Sequence, residues 1–367
     1  MRGPRQPSAQ AAGDRRARLP SAANAPYREG MARILLTGGA GYIGSHTYVA
    51  LRAAGHDVTV LDDFSNADPS VIDRMAQLAG DAAVDLVTGS VLDRATLDAA
   101  FAAKAFDGVV HFAARKAVGE SVAAPLDYFE TNISGLVTLL RAAKAAGVWR
   151  VVFSSTATVY GAPDVFPIPE TAPLSHTSPY AFTKLTCERI LAQAAEADPF
   201  LVGVLRYFNP VGAHPSGLIG EDPRGVPDNL MPYMAKVALG ELERLSVFGD
   251  DYDTPDGTCW RDYIHVCDLA RAHVASMGAL LEGRPHVVNV GTGVPTSVLE
   301  MHRAYSEAVG RALPHEVVGR RAGDVPRLYA DPARAKAELG FETELGLAEM
   351  CRDGWAWARA QARRNSG

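Results

Sequence analysis

Short apolar runs alternate with longer segments of helical periodicity between Met31 and about Phe208. The runs are rich in Val, Ile and Leu, which is typical of strands buried on both faces of a parallel sheet. They predict strands at Arg33–Thr37, Asp57–Leu61, Val84–Val87, Gly108–Phe112, Arg150–Ser155 and Leu201–Arg206. Because strands and helices alternate, we predict an α/β fold with a Rossmann-type, doubly wound parallel sheet.

Two helices are marked by apolar stripes that end at a glycine, the residue that commonly follows a helix C-terminus. The first is predicted over Tyr42–Ala53, before Gly55. The second is predicted over Pro125–Ala146, before Gly147. Both helices would cover the predicted sheet.

The alternation becomes irregular after Phe208, and Pro and Gly are frequent from Pro210 to Pro232. This change predicts a second, smaller α/β lobe for the substrate, placed over the carboxyl ends of the strands, where open α/β sheets bind ligands. The predicted division is a disordered extension at 1–30, a cofactor-binding domain at 31–209, a substrate lobe at 210–360, with part of 261–290 returning to the first domain, and a tail at 361–367.

Composition narrows the classes of function. The chain has 367 residues, of which 47% are hydrophobic and 21% are charged, as in ordinary globular proteins. No apolar run reaches the roughly 18 residues of a membrane helix, so no membrane partner is expected. The formal charge is −6 although six Arg fall within residues 1–30, and such an acidic body argues against nucleic acid as a partner.

Cysteine and histidine positions indicate neither disulfides nor a metal. The four cysteines form no CxxC motif, so a reducing cytoplasm is the predicted location. His265 and Cys267 have no third ligand nearby and are interpreted as core or lobe-interface residues, and His111 is interpreted as a buried histidine. Met31 opens directly onto the first strand, so we expect the native chain to start there.

A glycine-rich turn joins the first strand to the first helix. In Thr37–Gly44 the glycines at 38, 41 and 44 suit a tight turn, close approach of the backbone to a pyrophosphate, and helix–strand packing. The helix N-terminus adds free N–H groups and a positive dipole end. The second strand ends at Asp62 and Asp63, where carboxylates would accept ribose hydroxyls and repel a 2′-phosphate. NAD rather than NADP is therefore predicted.

Tyr180 and Lys184 lie one turn apart on a helix that Ser178 would cap and Pro179 would open. Tyrosine has a pKa of ~10, and lowering it to near neutrality needs roughly 4 kcal/mol of differential stabilisation. We predict that Lys184 supplies part of this and a cationic nicotinamide supplies more, which would make Tyr180 a catalytic base.

Six segments carry a resemblance to a known family. They are TGGAGYIGSH at 37–46, HFAARKAVGESV at 111–122, SPYAFTKL at 178–185, RYFNPVGAHPSG at 206–217, NLMPY at 229–233 and RDYIHVCDLA at 261–270. The chain resembles the extended short-chain dehydrogenase/reductase superfamily and, within it, the UDP-glucose (UDP-galactose) 4-epimerase family. The resemblance covers essentially all of 31–355.

The resemblance implies epimerisation at C4 of a UDP-hexose through a transient 4-ketosugar. Tyr180 would remove the 4-hydroxyl proton while C4 gives a hydride to NAD⁺, Thr156 would bind the 4-oxygen, and Lys184 would bind the nicotinamide ribose. The resemblance also implies further cofactor-binding residues: Tyr42, Ile43, Ser90, Val91, Phe112, Lys116, Asn132 and Phe208. Ser90 stands where the family commonly has an Asp that contacts adenine, so that contact is in doubt.

The substrate would be held by its nucleotide so that the sugar can reorient. The implied substrate-binding residues are Asn209, Asn229, Leu230, Ser246, Phe248, Arg261, Arg321, Asp324 and Leu328. Two arginines can grip a diphosphate and a carboxylate can accept ribose hydroxyls. Leu328 stands where a Tyr tends to exclude N-acetylated sugars in the family, so some turnover of such sugars is expected. A homodimer through Pro125–Ala146 and Ser178–Ala197 is also implied.

Alternatives differ in how well the residues support them. Nucleotide-sugar 4,6-dehydratases need an acidic pair after the catalytic Thr, whereas Ala157 and Thr158 follow Thr156 here. A 4-epimerase acting mainly on UDP-pentose or UDP-uronate stays open, because the motifs indicate UDP better than the sugar. A further hypothesis is a non-catalytic module that senses NAD. The presence of the complete set Thr156, Tyr180 and Lys184 argues against it.

Overall fold

The computed structural model describes residues 30–366 except residues 224, 226 and 322. The extension predicted at 1–30 therefore lies, apart from Gly30, outside the described residues. The strands are β1 Arg33–Thr37, β2 Asp57–Asp62, β3 Asp85–Thr88, β4 Gly108–His111, β5 Arg150–Thr156, β6 Leu201–Tyr207, β7 Asn209–Val211, β8 Leu245–Phe248, β9 Trp260–His265, β10 His286–Val290, β11 Pro295–Ser297, β12 His315–Val318 and β13 Arg327–Leu328. The α-helices are α1 Tyr42–Ala53, α2 Val71–Ala79, α3 Arg94–Ala103, α4 Val118–Ala123, α5 Pro125–Tyr128, α6 Gly135–Ala146, α7 Pro179–Ala197, α8 Leu230–Leu239, α9 Val266–Leu281, α10 Val298–Val309, α11 Ala333–Leu339 and α12 Leu347–Ser366.

The main sheet has seven strands in the order β10-β6-β5-β4-β1-β2-β3, and every pair in it is parallel. The six strands predicted from the sequence are all present in it, with ends that differ by at most one residue. The predicted doubly wound parallel sheet is confirmed. Its remaining strand, β10, comes from a much later part of the chain and pairs with β6.

Helices cover both faces of this sheet, because its strands are apolar on both sides. On one face the core contains Tyr48 and Leu51 of α1 together with Leu269 and Leu280 of α9. On the other face α3, α6 and α7 pack around Phe153 of β5. The sheet is thus held rigidly between two apolar layers, and its carboxyl edge positions the site.

The second lobe is built around β9, which pairs with β7, β11 and β13. A separate pair, β8 with β12, flanks it. Its core joins α8, α10 and α12 through Met234, Met301 and Met350. The chain therefore enters this lobe at β7, returns to the main sheet at β10 and leaves it again. Residues 261–265 belong to the second lobe, whereas α9 packs on the main sheet and residues 286–290 join that sheet as β10.

Two sequence predictions are corrected here. Residues 361–366 are not a tail, because α12 continues to Ser366 and Gln361 donates a hydrogen bond to Asp222 at 2.8 Å. The helix predicted over Pro125–Ala146 is interrupted by a π-helical turn at Phe129–Ser134. Such turns are frequent at functional sites, and this one carries the buried Asn132.

Helix ends follow the predicted signals. Gly55 and Gly147 have φ of +85° and +73°, a left-handed conformation that glycine adopts without steric cost. Ser178 caps α7 by accepting a hydrogen bond from the Ala181 N–H at 3.2 Å, and Pro179 opens the helix. No helix in the described part of the chain is long and apolar enough to cross a membrane.

Candidate active site

The glycine-rich turn brings the backbone closer than any side chain would allow. Gly38 has a φ of +69°, and a Cβ there would lie 2.6 Å from the Ala113 backbone nitrogen. A Cβ on Gly44 would lie 2.3 Å from the Gly38 carbonyl oxygen. Gly41 is the N-cap of α1 and has no side chain to cover the first turn. The turn thus offers bare backbone at a helix N-terminus, which suits phosphate groups.

Asp62, at the end of β2, braces this turn. Its carboxylate accepts hydrogen bonds from the Ala40 and Phe64 N–H groups, both at 2.9 Å. Burial raises the pKa of Asp62, which these bonds partly oppose. Burial also acts to raise the pKa of Asp63, but hydrogen bonds from Ser65 and Ser90 bring it below its usual value. Ser90 and the two carboxylates therefore lie together at the predicted adenosine end.

Thr156, Tyr180 and Lys184 come together where β5 meets α7. All three side chains are buried. The Lys184 ammonium donates to the Ser154 carbonyl oxygen at 2.8 Å and lies 5.0 Å from the centre of the Phe153 ring. Tyr180 lies beside Thr156, whose hydroxyl acts to lower the Tyr180 pKa, and the same hydroxyl oxygen accepts a hydrogen bond from the Thr158 N–H at 3.2 Å. The spatial grouping matches the prediction, while the catalytic roles remain predictions.

Burial has the largest effect on the pKa of Tyr180. Burial raises the pKa of Tyr180 well above its usual value, the neighbouring Tyr207 adds to the rise, and the Thr156 hydroxyl opposes it. Burial lowers the pKa of Lys184 to about 8. The protein side chains alone therefore favour the neutral phenol. The predicted lowering of the Tyr180 pKa by Lys184 together with a cationic nicotinamide stays a prediction.

Asn132 connects the loop after β4 to α7. Its side chain accepts from the Arg115 N–H at 2.8 Å and donates to the Thr183 hydroxyl at 2.9 Å. Lys116, on the same loop, reaches across to Glu221 of the second lobe, with 2.7 Å between Nζ and Oε1.

Glu221 was missed by the sequence reasoning. The same Oε1 atom accepts from the Asn229 side chain at 2.8 Å, so one carboxylate joins a predicted cofactor residue, Lys116, to a predicted substrate residue. An acid eight residues before Asn229 in a Pro- and Gly-rich stretch gave no signal of this contact.

The other predicted cofactor residues pack against neighbouring groups of the structure. The Phe112 ring lies 4.6 Å from that of His273, and Phe208 is buried where β6 gives way to β7. Val91 packs closely against Gly135 of α6, since a Cβ on Gly135 would lie 2.9 Å from a methyl group of Val91. Ile43 packs against the first core, and the Tyr42 hydroxyl donates to the Gly212 carbonyl at 2.7 Å, which ties α1 to the second lobe.

Arg261, Arg321 and Asp324 form one group in the second lobe. The Asp324 carboxylate lies 3.5 Å from Arg261 and 3.0 Å from Arg321. Arg321 lies 5.4 Å from the ring of Phe248, which is 40% exposed at the end of β8. Two cations and an exposed aromatic ring suit a diphosphate and a base.

The other predicted substrate residues are placed around this group. Leu328 pairs with Arg261 across β13 and β9 and packs against a cluster that includes Phe208. The Asn209 Oδ1 atom is buried and has no hydrogen-bond partner among the described residues. Leu230 begins α8 directly after Asn229, and Ser246 lies on β8, two residues before Phe248. Asn229 contacts Glu221 and not the arginine group.

The buried histidines have structural partners. The His265 side chain accepts a hydrogen bond from the Cys267 N–H at 3.0 Å and so caps α9. His111 Nδ1 lies 2.7 Å from the Thr37 hydroxyl oxygen. No cluster suitable for a metal ion occurs within residues 30–366, leaving aside the three undescribed positions. The fold and the site together define the class of protein as a dinucleotide-dependent α/β enzyme.

Comparisons with known proteins narrow this class. Residues 34–291 match the model of the NAD dependent epimerase/dehydratase family. The UDP-glucose 4-epimerase of Bacillus subtilis (strain 168) is 50% identical over 326 residues, which are 88% of this chain and 96% of that protein. The chain belongs to the NAD dependent epimerase/dehydratase family.

Solved structures agree in fold. The UDP-glucose 4-epimerase of Stenotrophomonas maltophila, with bound NAD and formylated UDP-arabinopyranose, is 48% identical with a TM-score of 0.89, over 91% of this chain and 99% of that one. The UDP-Glc/GlcNAc 4-epimerase of Campylobacter jejuni is 36% identical with a TM-score of 0.79, over 89% of this chain and 99% of that one.

We expect Gly44→Ala to lose bound NAD. The added Cβ forces the turn apart at a cost of about 1–3 kcal/mol, which corresponds to roughly ten- to hundredfold weaker NAD binding. The NAD content of the purified protein and its affinity on readdition measure this. Gly278→Ala is the matched control, because a Cβ there meets nothing within 4 Å. Equal NAD affinity in the two variants would contradict the assignment of the turn.

Proposed function

We propose that the protein interconverts UDP-galactose and UDP-glucose by epimerisation at C4, using tightly bound NAD. The observation that carries this is the buried contact of Thr156 and Tyr180 beside Lys184, at the edge of a sheet whose first turn suits a dinucleotide. The relatives named above are UDP-glucose 4-epimerases, so the UDP-pentose, UDP-uronate and NAD-sensing alternatives are not favoured.

The residues present fit oxidised NAD. Gly38 and Gly44 leave space that a Cβ would fill, and Asp62 lies at the next strand end, where a ribose would reach it. Bound NAD⁺ would supply reversible hydride chemistry at C4 and a positive charge that favours the Tyr180 phenolate.

The protein's own groups handle the proton. Tyr180, as phenolate, takes the proton from the 4-hydroxyl and gives it back after the sugar has turned. Thr156 steadies the same oxygen with its hydroxyl and is held at the end of β5 by the sheet. Coulombic effects are stronger in a buried site than in water because less water screens them, so an added positive charge beside the phenol would favour the phenolate.

The nucleotide end would be fixed while the sugar turns. Arg261 and Arg321 would bind the diphosphate, and Asp324, which lies between them, would accept the uridine ribose hydroxyls. Phe248 would stack on the uracil. The orphan acceptor of Asn209 supports a contact with a ligand donor, because buried polar groups are normally paired.

Location and assembly are part of the same proposal. All four cysteines are free, which supports a reducing cytoplasm. An apolar patch, meaning here the exposed apolar side chains on the mutually packed helices α4, α5 and α7, supports a homodimer, because monomers rarely expose large apolar patches. Its members are Val118, Val122, Leu126 and Phe182, which are 37–75% exposed.

Tyr180→Phe tests the chemistry. The variant keeps the buried ring and loses the proton carrier, so kcat for UDP-galactose should fall about 10²- to 10⁴-fold while bound NAD is retained. Tyr305→Phe is the control, since the buried Tyr305 hydroxyl has no hydrogen-bond partner among the described residues. Normal turnover by Tyr180→Phe would refute the mechanism.

Leu328 tests sugar selectivity. We expect the protein to turn over UDP-N-acetylglucosamine at more than about one-thousandth of its UDP-galactose rate, because leucine leaves room that tyrosine would fill. Leu328→Tyr should lower the N-acetyl rate at least about tenfold and change the UDP-galactose rate little. Rates for both sugars with both proteins measure this; an unchanged ratio would remove Leu328 from the selectivity determinants.

The apolar patch tests assembly. Leu126→Asp should convert a dimer into a folded monomer, because a charge on the patch cannot be buried without a partner. Sedimentation velocity gives the mass in solution. Val294→Asp is the control: Val294 is 61% exposed but lies outside the patch. A wild-type monomer would contradict the dimer.

A further inference from the structure

A buried ion pair lies directly behind the catalytic residues. Glu188 of α7 and Arg206 of β6 are both almost fully buried. Their contact is bidentate: Arg206 Nη2 donates to Oε2 at 2.7 Å and Nε donates to Oε1 at 3.0 Å. A two-point contact of this kind fixes direction as well as distance.

Ser155 connects this pair to the catalytic strand. Its hydroxyl donates to Glu188 Oε1 at 2.5 Å, and its neighbour in β5 is Thr156. The preceding residue, Ser154, accepts from Lys184 at 2.8 Å. Ser154 and Ser155 of β5 are therefore each bonded to a different residue of α7, and the next residue, Thr156, lies beside a third, Tyr180.

The three partners on α7 are Tyr180, Lys184 and Glu188, spaced four residues apart on one helix face. The Thr156 contact lies at the start of this row, the Ser154 contact in the middle and the Ser155 contact at the far end. Glu188 thus completes a series that sets how α7 lies along the last residues of β5.

The other donor group of Arg206 is also engaged. Its Nη1 atom donates to the Tyr160 hydroxyl at 3.1 Å and to the Glu170 carbonyl at 3.3 Å. The Tyr160 hydroxyl donates to Asn289 Oδ1 at 2.6 Å. The guanidinium of Arg206 is therefore bonded through Nε, Nη1 and Nη2, and its bonds with Tyr160 and Glu170 hold it in place against the Glu188 carboxylate.

Stability alone does not call for charges at this place. Apolar residues of similar volume often replace a buried ion pair at no loss, because desolvation offsets the attraction. We propose that Glu188 and Arg206 are positioning residues, which act through Ser155 to hold the Thr156 hydroxyl and through α7 to hold Tyr180 in their reactive arrangement. This inference rests on the proposed function.

The carboxylate has a second, electrostatic effect on the same row. Burial lowers the pKa of Lys184 to about 8, and the nearby Cys187 and Glu188 oppose that fall. In Glu188→Gln the negative charge is lost while Arg206 stays charged, so the pKa of Lys184 should fall further. Since Lys184 then loses its proton at lower pH, any decline of kcat at high pH that follows its deprotonation shifts to lower pH.

Ser155→Ala is the first test, because it removes one hydroxyl and leaves the ion pair in place. We expect kcat for UDP-galactose to fall about ten- to hundredfold, the scale associated with small misplacement of reacting groups, with KM and NAD content little changed. Ser276→Ala is the control, a buried serine whose hydroxyl oxygen lies 2.7 Å from His286 Nε2, away from the site. Equal kcat in the two variants would overturn the proposal.

Glu188→Gln and the double variant Glu188→Leu/Arg206→Met separate positioning from stability. The double variant should fold with a melting temperature near that of the wild type, keep NAD and still lose about tenfold or more in kcat. Glu188→Gln should move the high-pH decline of kcat to lower pH. A folded double variant with wild-type kcat would refute positioning, and if neither variant folds, Ser155→Ala decides.

Tyr180→Phe separates the two levels of failure. If Tyr180→Phe is inactive while Ser155→Ala and the double variant are fully active, only the positioning role fails. If Tyr180→Phe is active, the proposed function fails, and the positioning role fails with it.

Discussion

The attachment of α7 to the carboxyl end of β5 is the contact on which the site depends. One side of the contact is the central sheet, held between two apolar layers, and the other is a helix whose start is fixed by Ser178 and Pro179. The hydrogen bond from Lys184 to a backbone carbonyl of β5 is buried at both ends, so water does not compete for it. Thr156, Tyr180 and Lys184 are all placed by this junction.

Burial at this junction moves two pKa values in opposite directions. The phenol of Tyr180 and the ammonium of Lys184 each lose hydration, so each is driven towards its neutral form. The protonation states of Tyr180 and Lys184 therefore depend on their surroundings as well as on the residue type. A cation brought beside Tyr180 has a large effect for the same reason that the phenol resists ionisation, namely the low polarity of the surroundings.

The sequence predicted those parts of the fold that local pattern determines. The bounds of α1 match because a stripe, a glycine turn and a C-terminal glycine coincide. The helix over Pro125–Ala146 was interpreted as regular, since the stripe gives no sign that Asn132 bonds to Arg115 and Thr183. The end of α12 was missed because its last turns are polar and owe their order to contacts such as that of Gln361 with Asp222.

The sequence predicted which site residues lie together where they belong to one contiguous motif. It did not predict contacts between residues that are far apart in the chain. Tyr180 and Lys184 follow from helical spacing alone, but their pKa shifts depend on burial, which spacing does not report. Glu188 carried one available signal, its position four residues after Lys184. Glu221 carried none, because its partner Lys116 lies 105 residues away in the chain.

The late return of β10 to the central sheet bears on how the chain is made. β6 has β10 as its outer neighbour, so the sheet is complete only once residue 290 has left the ribosome. Until then β6 is an open edge, able to pair with another chain. A polypeptide that stops at residue 209 would keep that edge permanently, because the last strand of the sheet is made only after the chain has passed through β7, β8 and β9 of the second lobe.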